Sequence, residues 1–248
     1  MKRLTAFVLS VLVFFTPFPR TSRGSTVRAD SGLVLAGQGN YESIKTSLPN
    51  VSVACPDSSN PNGMYLCDSE GDLYYSSDSL KTFKYRGKLP SPICSLSVDP
   101  FKPSMIYGSN LYTNDKEKLN IYISSDSGEN WSTLFTFSIT DTCKILVNSK
   151  EEGQVLVKTN SFLFLSNDRG NTFEKIFDVA AYSQSDKATS ISSVAISNDG
   201  TNSRLFLYTD GGIFASDNLG KTWKKIFDQA YGNYRELVAV DPSNSSII

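Results

Sequence analysis

Residues 124–131, Ser-Ser-Asp-Ser-Gly-Glu-Asn-Trp, belong to a motif that the chain carries four times. The other copies are Ser-Ser-Asp-Ser-Leu-Lys-Thr-Phe at 76–83, Ser-Asn-Asp-Arg-Gly-Asn-Thr-Phe at 166–173 and Ser-Asp-Asn-Leu-Gly-Lys-Thr-Trp at 216–223. Their first serines are 48, 42 and 50 residues apart. A unit that recurs at this spacing indicates a repeat architecture, because each copy is one small structural motif that must stack on its neighbours.

Each copy lies between two apolar runs, for example residues 121–123 before the second copy and 131–137 after it. Such pairs around a short polar turn are typical of β-hairpins. Two further short strands precede each hairpin, as at 95–98 and 105–107. The sequence therefore predicts an all-β propeller of four-stranded antiparallel blades. The expected blades are four complete ones and a partial fifth, at about 50–90, 91–138, 139–180, 188–230 and 236–248.

The third residue of the motif is an aspartate or asparagine whose side-chain oxygen can accept hydrogen bonds from backbone N–H groups of its own turn. The fifth is usually glycine, which takes a positive φ at little cost. The eighth is Trp or Phe, which we expect to be the first inward side chain of the next strand. Leu80 replaces the glycine in the first copy and should strain the turn or change its type, whereas Asn218 keeps the acceptor. The predicted structural residues are Ser76, Asp78, Phe83, Ser124, Asp126, Gly128, Trp131, Ser166, Asp168, Gly170, Phe173, Ser216, Asn218, Gly220 and Trp223.

On these motifs, residues 50–241 resemble the Asp-box (BNR) β-propellers, a group that includes sialidases, the sortilin luminal domain, xyloglucanases and photosystem II assembly factors. In that family the Asp box joins the third and fourth strands of a blade, on the face away from the ligand. The resemblance implies that the four motifs are structural. It also implies that ligands bind over the central channel, at the loops that lead into each first strand and the turns that join the second and third strands.

Both ends of the chain carry pieces of the repeat. Residues 237–242, Leu-Val-Ala-Val-Asp-Pro, match the first-strand pattern Leu-Ser-Val-Asp-Pro at 96–100, and residues 33–41 resemble a second strand with its turn. One interpretation is that 33–41 pairs with 237–240 and closes a fifth blade. The alternative, which we favour, is a truncated member of a family with more blades.

The N-terminus predicts export. Lys2 and Arg3 precede an uncharged apolar stretch, 4–18, that is short for a membrane span and is typical of a secretory signal. We expect a signal peptide over 1–29 and a propeller domain over 30–248, and an uncleaved membrane anchor is the alternative for the first segment. The mature protein is then a secreted or extracytoplasmic monomer with no membrane span.

Composition excludes several classes of function. The chain has 24 basic and 25 acidic residues, so nucleic acid is not an expected partner. It contains no histidine, which removes the commonest metal ligand and general base, and we expect no metal and no cofactor. Four cysteines in an exported chain allow one or two disulfides, with three pairings when all four are joined, and a free buried thiol is the alternative for each: Cys55, Cys67, Cys94 and Cys143.

The acids expected on the channel face are Glu70, Asp141, Asp186 and Asp210. We expect no catalytic residue, and the preferred function is a non-catalytic module that binds a protein or glycan on that face. The alternatives are a glycoside hydrolase using a pair of these acids, xyloglucanase- or sialidase-like, and a fragment without a function of its own. The sialidase arginine pattern is absent, while 208–212, Tyr-Thr-Asp-Gly-Gly, looks like a xyloglucanase acid turn.

Five tyrosines could form a stacking platform or lie in the core: Tyr107, Tyr112, Tyr182, Tyr231 and Tyr234.

Overall fold

The structure is a computed structural model that describes residues 32–35, 42–45, 48, 50–110, 118–139, 141, 143–183, 188–198 and 203–228. In these ranges four antiparallel sheets of four strands follow one another along the chain, and each sheet is hydrogen-bonded in sequence order. We call them blades 1 to 4. The predicted four-stranded blades are confirmed.

Blade 1 is formed by β3 (Val51–Pro56), β4 (Met64–Asp68), β5 (Asp72–Ser76) and β6 (Lys84–Lys88). Blade 2 is formed by β7 (Ile93–Val98), β8 (Ile106–Asn110), β9 (Leu119–Ser124) and β10 (Ser132–Phe137). Blade 3 is formed by β11 (Lys144–Val147), β12 (Val155–Lys158), β13 (Phe162–Ser166) and β14 (Glu174–Asp178). A short 3-10 helix, Val179–Tyr182, precedes blade 4, which is formed by β15 (Ile191–Asn198), β16 (Ser203–Thr209), β17 (Gly212–Ser216) and β18 (Lys224–Asp228).

The N-terminal strands form a separate pair. β1 (Gly32–Leu35) and β2 (Glu42–Lys45) make an antiparallel hairpin, with Gly32 opposite Lys45. The partner that we considered for this segment, 237–240, lies outside the described residues. The signal segment 1–29 and the partial blade 236–248 also lie outside them, so these expectations stay predictions.

Adjacent blades share their hydrophobic cores. The 1–2 core joins Val53, Cys55, Tyr65, Cys67 and Leu73 of blade 1 to Ile93, Leu96, Val98, Ile106 and Tyr122 of blade 2. The 2–3 core joins Tyr107, Leu119, Ile121 and Phe137 to Cys143, Ile145, Val155 and Val157. The 3–4 core joins Leu156, Leu163, Leu165 and Phe177 to Ile191, Val194, Leu205, Leu207 and Phe214. Burial of apolar side chains between sheets is therefore what stacks one blade on the next.

The loops and turns of the blades lie at two opposite ends of the strands. The turns joining third and fourth strands and the loops joining first and second strands form one end, which we call the lower face. Backbone hydrogen bonds tie the two there, from Ser79 N–H to Asn62 O (3.0 Å) and from Arg169 N–H to Gly153 O (2.9 Å). The loops leading into each first strand and the turns joining second and third strands form the opposite end, the upper face.

Candidate functional site

The four octapeptides are the turns of the lower face. In the third copy the Ser166 hydroxyl donates to Asp168 Oδ1 (2.7 Å) and accepts from Gly170 N–H (2.7 Å). Asp168 accepts from the Thr172 N–H and hydroxyl at 2.9 and 2.6 Å. In the fourth copy Asn218 Oδ1 accepts from Ser216 and from Thr222 N–H, while its amide donates to Thr222 Oγ1 (2.8 Å). The hydrogen-bonding capacity of these side chains is used within their own turns.

The eighth-position aromatics face the preceding blade. Trp131 packs against the 1–2 core, Phe173 against the 2–3 core and Trp223 against the 3–4 core. Phe83, in the first copy, packs against Met64, Leu66 and Leu80. In blades 2 to 4 the aromatic residue thus joins its hairpin to the preceding sheet, whereas Phe83 packs within blade 1.

On the upper face of blade 4, Asp210 lies in the turn between β16 and β17. Its Oδ1 accepts from Thr189 N–H (2.6 Å) and Ser190 N–H (3.0 Å), and its Oδ2 accepts from the Thr189 hydroxyl. Both partners belong to the loop that leads into β15. The carboxylate therefore clamps that loop to the turn of the same blade.

Blade 3 has a similar clamp in which the acid and the donors have exchanged places. Here the acid, Asp141, lies in the leading loop, and Asn160 in the β12–β13 turn donates its N–H and its side-chain amide to the two carboxylate oxygens, each at 2.9 Å. In blade 1 a backbone bond does the same work, from Ser69 N–H to Asn50 O at 3.0 Å. Asp210 N–H also donates to Ser190 O (3.3 Å) at the equivalent place in blade 4.

One hydrogen-bonded network joins two of the four predicted acids. The carbonyl of Asn160, the residue that holds Asp141, accepts from Ile191 N–H at 2.7 Å, and Ile191 directly follows the Ser190 that donates to Asp210. Asp141 and Asp210 are therefore parts of one clamp at the boundary of blades 3 and 4. Glu70 is an exposed residue of the blade 1 turn, outside this network, and its N–H donates to Asp68 Oδ1. Asp186 lies outside the described residues.

The hydrogen bonds that Asp210 accepts favour its ionised form. Burial raises its pKa, but the hydrogen bonds from Thr189 and Ser190 outweigh burial and hold the pKa of Asp210 below its usual value. A general acid at neutral pH needs a pKa shifted in the opposite direction. As placed here, this carboxylate is poorly suited to give a proton to a leaving group.

Of the five tyrosines, Tyr107 lies in the interior and Tyr182 is half-buried. Tyr107 is fully buried, and its hydroxyl donates to Arg169 O (3.3 Å) across blades 2 and 3. Tyr182 stacks on Phe177, with ring centroids 4.8 Å apart and planes 2° apart. Tyr107 is therefore not available as an exposed platform, and one ring face of Tyr182 is covered by Phe177. The other three, Tyr112, Tyr231 and Tyr234, lie outside the described residues.

Sequence reasoning missed the residues that complete the upper-face clamps. Asn160 and Thr189 are ordinary polar loop residues when the sequence is read alone. A signal was nevertheless present, because Thr159 and Thr209 precede Asn160 and Asp210 at equivalent positions of the repeat. Each threonine hydroxyl accepts an N–H from two residues on, that of Ser161 or Gly211, at 3.2 Å.

The described residues show neither a metal centre nor a membrane helix. No group of three or more Cys, Asp or Glu side chains in these ranges is arranged to hold a metal ion. No helix within them is long and apolar enough to cross a bilayer.

No protein-family model and no curated protein matches the chain. Solved structures do. A GH74 enzyme from Niastella koreensis superposes with a TM-score of 0.58 at 15% identity, covering 79% of this chain and 28% of that one. YCF48 from Cyanidioschyzon merolae superposes with a TM-score of 0.53 at 16% identity, covering 78% of this chain and 66% of YCF48. A chain of a nidogen/laminin complex superposes with a TM-score of 0.57 at 11% identity, covering 77% of this chain and 70% of that one.

The fold is a β-propeller. Four complete four-stranded blades and propeller-like structural neighbours agree on this, and the expected partial fifth blade is compatible with them. The chain spans less than a third of the length of the GH74 enzymes that it matches. At these identities the likeness concerns the propeller fold alone, which enzymes and non-enzymatic proteins share.

Proposed function

We propose that this β-propeller is a non-catalytic, exported module that binds a protein or glycan partner on its upper face. The observation that carries the proposal is the equivalence of the clamps. In blade 3 the Asp141 carboxylate accepts the turn N–H that a backbone carbonyl accepts in blade 1, and in blade 4 the Asp210 carboxylate reinforces the same backbone hydrogen bond. A residue that a backbone group can replace at the equivalent position is there for loop geometry.

We propose further that the four lower-face turns are Asp boxes with a purely structural role. Their third-position side chains accept hydrogen bonds within their own turns, and their aromatic residues are packed against neighbouring sheets. This leaves the upper face for ligands. Its loops are held by the clamps, which limits the conformational entropy lost when a partner binds.

Hydrolysis assays test the catalytic alternative. Purified protein incubated with xyloglucan, β-glucans and sialylated glycoconjugates should release no reducing sugar and no sialic acid. Release that Asp210→Asn or Asp141→Asn abolishes, with an unchanged circular dichroism spectrum, would overturn the proposal. Glu129→Gln is the matched control, because Glu129 is an exposed acid of a lower-face turn and is not a candidate acid of the hydrolase.

Charge reversal on the two faces tests where the partner binds. Glu70→Arg changes the upper face and Glu129→Arg changes a lower-face turn; both side chains are exposed. Binding to a glycan array or to extracellular proteins of the producing cell should weaken at least several-fold for Glu70→Arg and stay unchanged for Glu129→Arg. The reverse pattern, or no binding by the wild-type chain, would contradict the proposal.

A glycoside hydrolase is the second candidate, because the Thr209-Asp210-Gly211-Gly212 turn presents a carboxylate on the upper face. Such an enzyme needs two carboxyl groups about 5–9.5 Å apart, one of them protonated at working pH. The candidates are again Glu70, Asp141, Asp186 and Asp210, and the hydrolysis assay above decides between the two functions.

A further inference from the structure

Two of the four cysteines occupy the same position of the repeat in adjacent blades. This position is Ser52, Cys94 and Ser192 in blades 1, 2 and 4, each the second residue of the first strand. In blade 3 it is Cys143, directly before β11. The alignment is fixed by a polar residue five positions later in blades 1 to 3. Asp57, Asp99 and Asn148 each accept, through a side-chain oxygen, the N–H of the residue two positions on.

These two cysteines contact each other across the boundary between blades 2 and 3. The Cys94 thiol donates a hydrogen bond to the carbonyl oxygen of Cys143, with 3.2 Å between the sulfur and the oxygen. A shift of register between Ile93 and Ser95 leaves Cys94 as the extra residue of a β-bulge in β7. Bulges re-aim a side chain, and here the Cys94 side chain reaches the neighbouring blade.

The backbones on both sides of the contact are fixed. The Ser95 hydroxyl accepts from Ile145 N–H at 2.9 Å, which ties β7 to β11 next to the two cysteines. The sulfur of Cys94 also lies 3.2 Å from Asn110 O and 3.3 Å from Ser109 Oγ. Blades 2 and 3 are therefore already held together at the place where a bond between the two sulfurs would form.

We propose that Cys94 and Cys143 are a redox-active pair that forms a disulfide between the first strands of blades 2 and 3. The oxidant is a small-molecule disulfide. The Cys94 thiolate attacks one of its sulfurs and displaces one thiolate, which gives a mixed disulfide. Cys143 then loses its proton and attacks Cys94 Sγ, which displaces the second thiol; two protein thiols are oxidised and one disulfide is reduced to two thiols.

Cys94 is the residue that reacts first, because it is the only partly exposed cysteine of the four; the other three are buried. Cys143 is the resolving thiol. The bridge would close a loop of about fifty residues and add a covalent link between two blades that side-chain packing and hydrogen bonds already join. The proposal is independent of ligand binding on the upper face.

The remaining cysteines are not a second pair of this kind. In the β3–β4 ladder Cys55 is opposite Tyr65 and Cys67 is opposite Val53, so the two cysteines are diagonal neighbours. Diagonal neighbours are about 7–8 Å apart, at or beyond the reach of a disulfide. Burial raises the pKa of both thiols to about 12, which leaves almost no reactive thiolate at neutral pH.

Peptide mapping tests the pairing. The purified full chain is reduced, freed of reductant, incubated with oxidised glutathione at pH 8 and alkylated under non-reducing conditions before digestion. We expect one cross-linked peptide pair, containing Cys94 and Cys143, while Cys55 and Cys67 become alkylated only after unfolding. Oxidation should also raise Tm by on the order of 10 °C, and dithiothreitol should reverse this shift.

Cys94→Ser and Cys143→Ser should each abolish the cross-linked peptide and the Tm shift. Serine occupies this position in blades 1 and 4, so these variants should fold. Cys55→Ala should retain both effects. A glutathione adduct on Cys94 that does not resolve, a Cys55–Cys67 peptide, or an oxidised wild-type protein with all four thiols free would overturn the proposal.

Discussion

The third residue of each lower-face turn holds the turn together by accepting hydrogen bonds. Hydrogen bonds from the residue four positions on, Thr82, Asn130 or Thr172, lower the pKa of Asp78, Asp126 and Asp168 to about 2. A folded-state pKa below the unfolded value of about 3.9 means that the carboxylate stabilises the fold above that value. This stabilisation is lost as pH falls through the folded pKa of about 2.

Asn218→Asp should add a fourth acid-sensitive turn. Thr222 already donates its N–H to Asn218 Oδ1 at 2.9 Å, as Thr172 does to Asp168. An aspartate at 218 would accept the threonine hydroxyl as well, so we expect the urea midpoint to be at least that of the wild-type chain at pH 7. Between pH 4 and pH 2 it should fall more steeply.

The control for this prediction is Lys221→Gln, which changes the net charge by the same amount in the same exposed turn. It should leave the shape of the pH profile unchanged. If Asn218→Asp and Lys221→Gln give parallel profiles, the turn carboxylate does not carry the stabilisation that we assign to it.

Leu80 shows how the first turn tolerates the loss of its glycine. Its φ is 68°, close to the 92° and 91° of Gly128 and Gly170, so the turn keeps its type and the leucine bears the strain. The Leu80 side chain is buried against Met64 and Leu66. The fourth positions of all four turns, Ser79, Ser127, Arg169 and Leu219, have a positive φ as well.

Leu80→Gly should separate the two contributions. The substitution relieves about 1 kcal/mol of left-handed strain but removes about 2–3 kcal/mol of apolar burial. We expect a net loss of about 1–2 kcal/mol in the free energy of unfolding, measured by urea titration. Ser79→Gly is the control: it relieves strain at a φ of 59° and loses only an exposed hydrogen bond, from the Ser79 hydroxyl to Asn62 Oδ1, so it should change the free energy of unfolding by less than about 1 kcal/mol. A Leu80→Gly variant more stable than the wild-type chain would show that strain is the larger contribution.

At the scale of the element, a blade stacks by laying its lower-face turn on the last strand of the blade before it. Gly87 of β6 meets the turn of blade 2 so closely that a Cβ would lie 2.3 Å from Gly128 O and 2.7 Å from Glu129 O. The Arg86 guanidinium donates to Ser127 O (3.2 Å) and lies 3.6 Å from the Glu129 carboxylate. The close backbone contact sets the distance between blades 1 and 2.

Gly87→Ala should therefore disrupt the stacking of blades 1 and 2. The φ of Gly87 is not in the left-handed region, so the effect comes from the contact alone. We expect a loss of about 2–3 kcal/mol in the free energy of unfolding, because backbone atoms cannot move aside as a flexible side chain can. Glu129→Ala removes the ion pair and leaves the backbone contact, and should cost less than about 1 kcal/mol. Equal losses in the two variants would mean that the ion pair, and not the contact, holds the blades.

The sequence was sufficient to predict the blades but not the upper-face contacts. The four recurring hairpins predict the positions of the strands, because a polar turn and the alternating apolar residues beside it determine local structure within a few residues. Asp141 and Asp210 were recognisable as upper-face carboxylates, yet their partners Asn160 and Thr189 are 19 and 21 residues away. Which acid faces which loop depends on strand register. The left-handed backbone at the fourth turn position was not predictable either, because Ser, Arg and Leu at that position do not indicate it.

At the scale of the whole molecule, the described blades form one continuous structure. The 1–2, 2–3 and 3–4 cores each take side chains from two blades. Among the four described blades, only the outer two add a cluster of their own, around Leu66 in blade 1 and around Phe206 in blade 4. Loss of one core should expose surface in both blades that built it. Four blades linked in this way are expected to unfold in one cooperative transition.

The two tryptophans of the chain make this cooperativity measurable, because Trp131 packs against the 1–2 core and Trp223 against the 3–4 core. Trp223→Phe leaves Trp131 as the fluorescent reporter of the first interface, and Trp131→Phe leaves Trp223 as the reporter of the last. Phe137→Ala empties part of the 2–3 core, which contains neither tryptophan, and should cost about 3–5 kcal/mol. In a cooperative propeller each reporter protein should lose this same amount of stability when Phe137 is replaced. If the blades unfold separately, Phe137→Ala will move neither tryptophan transition, or will move only one of them.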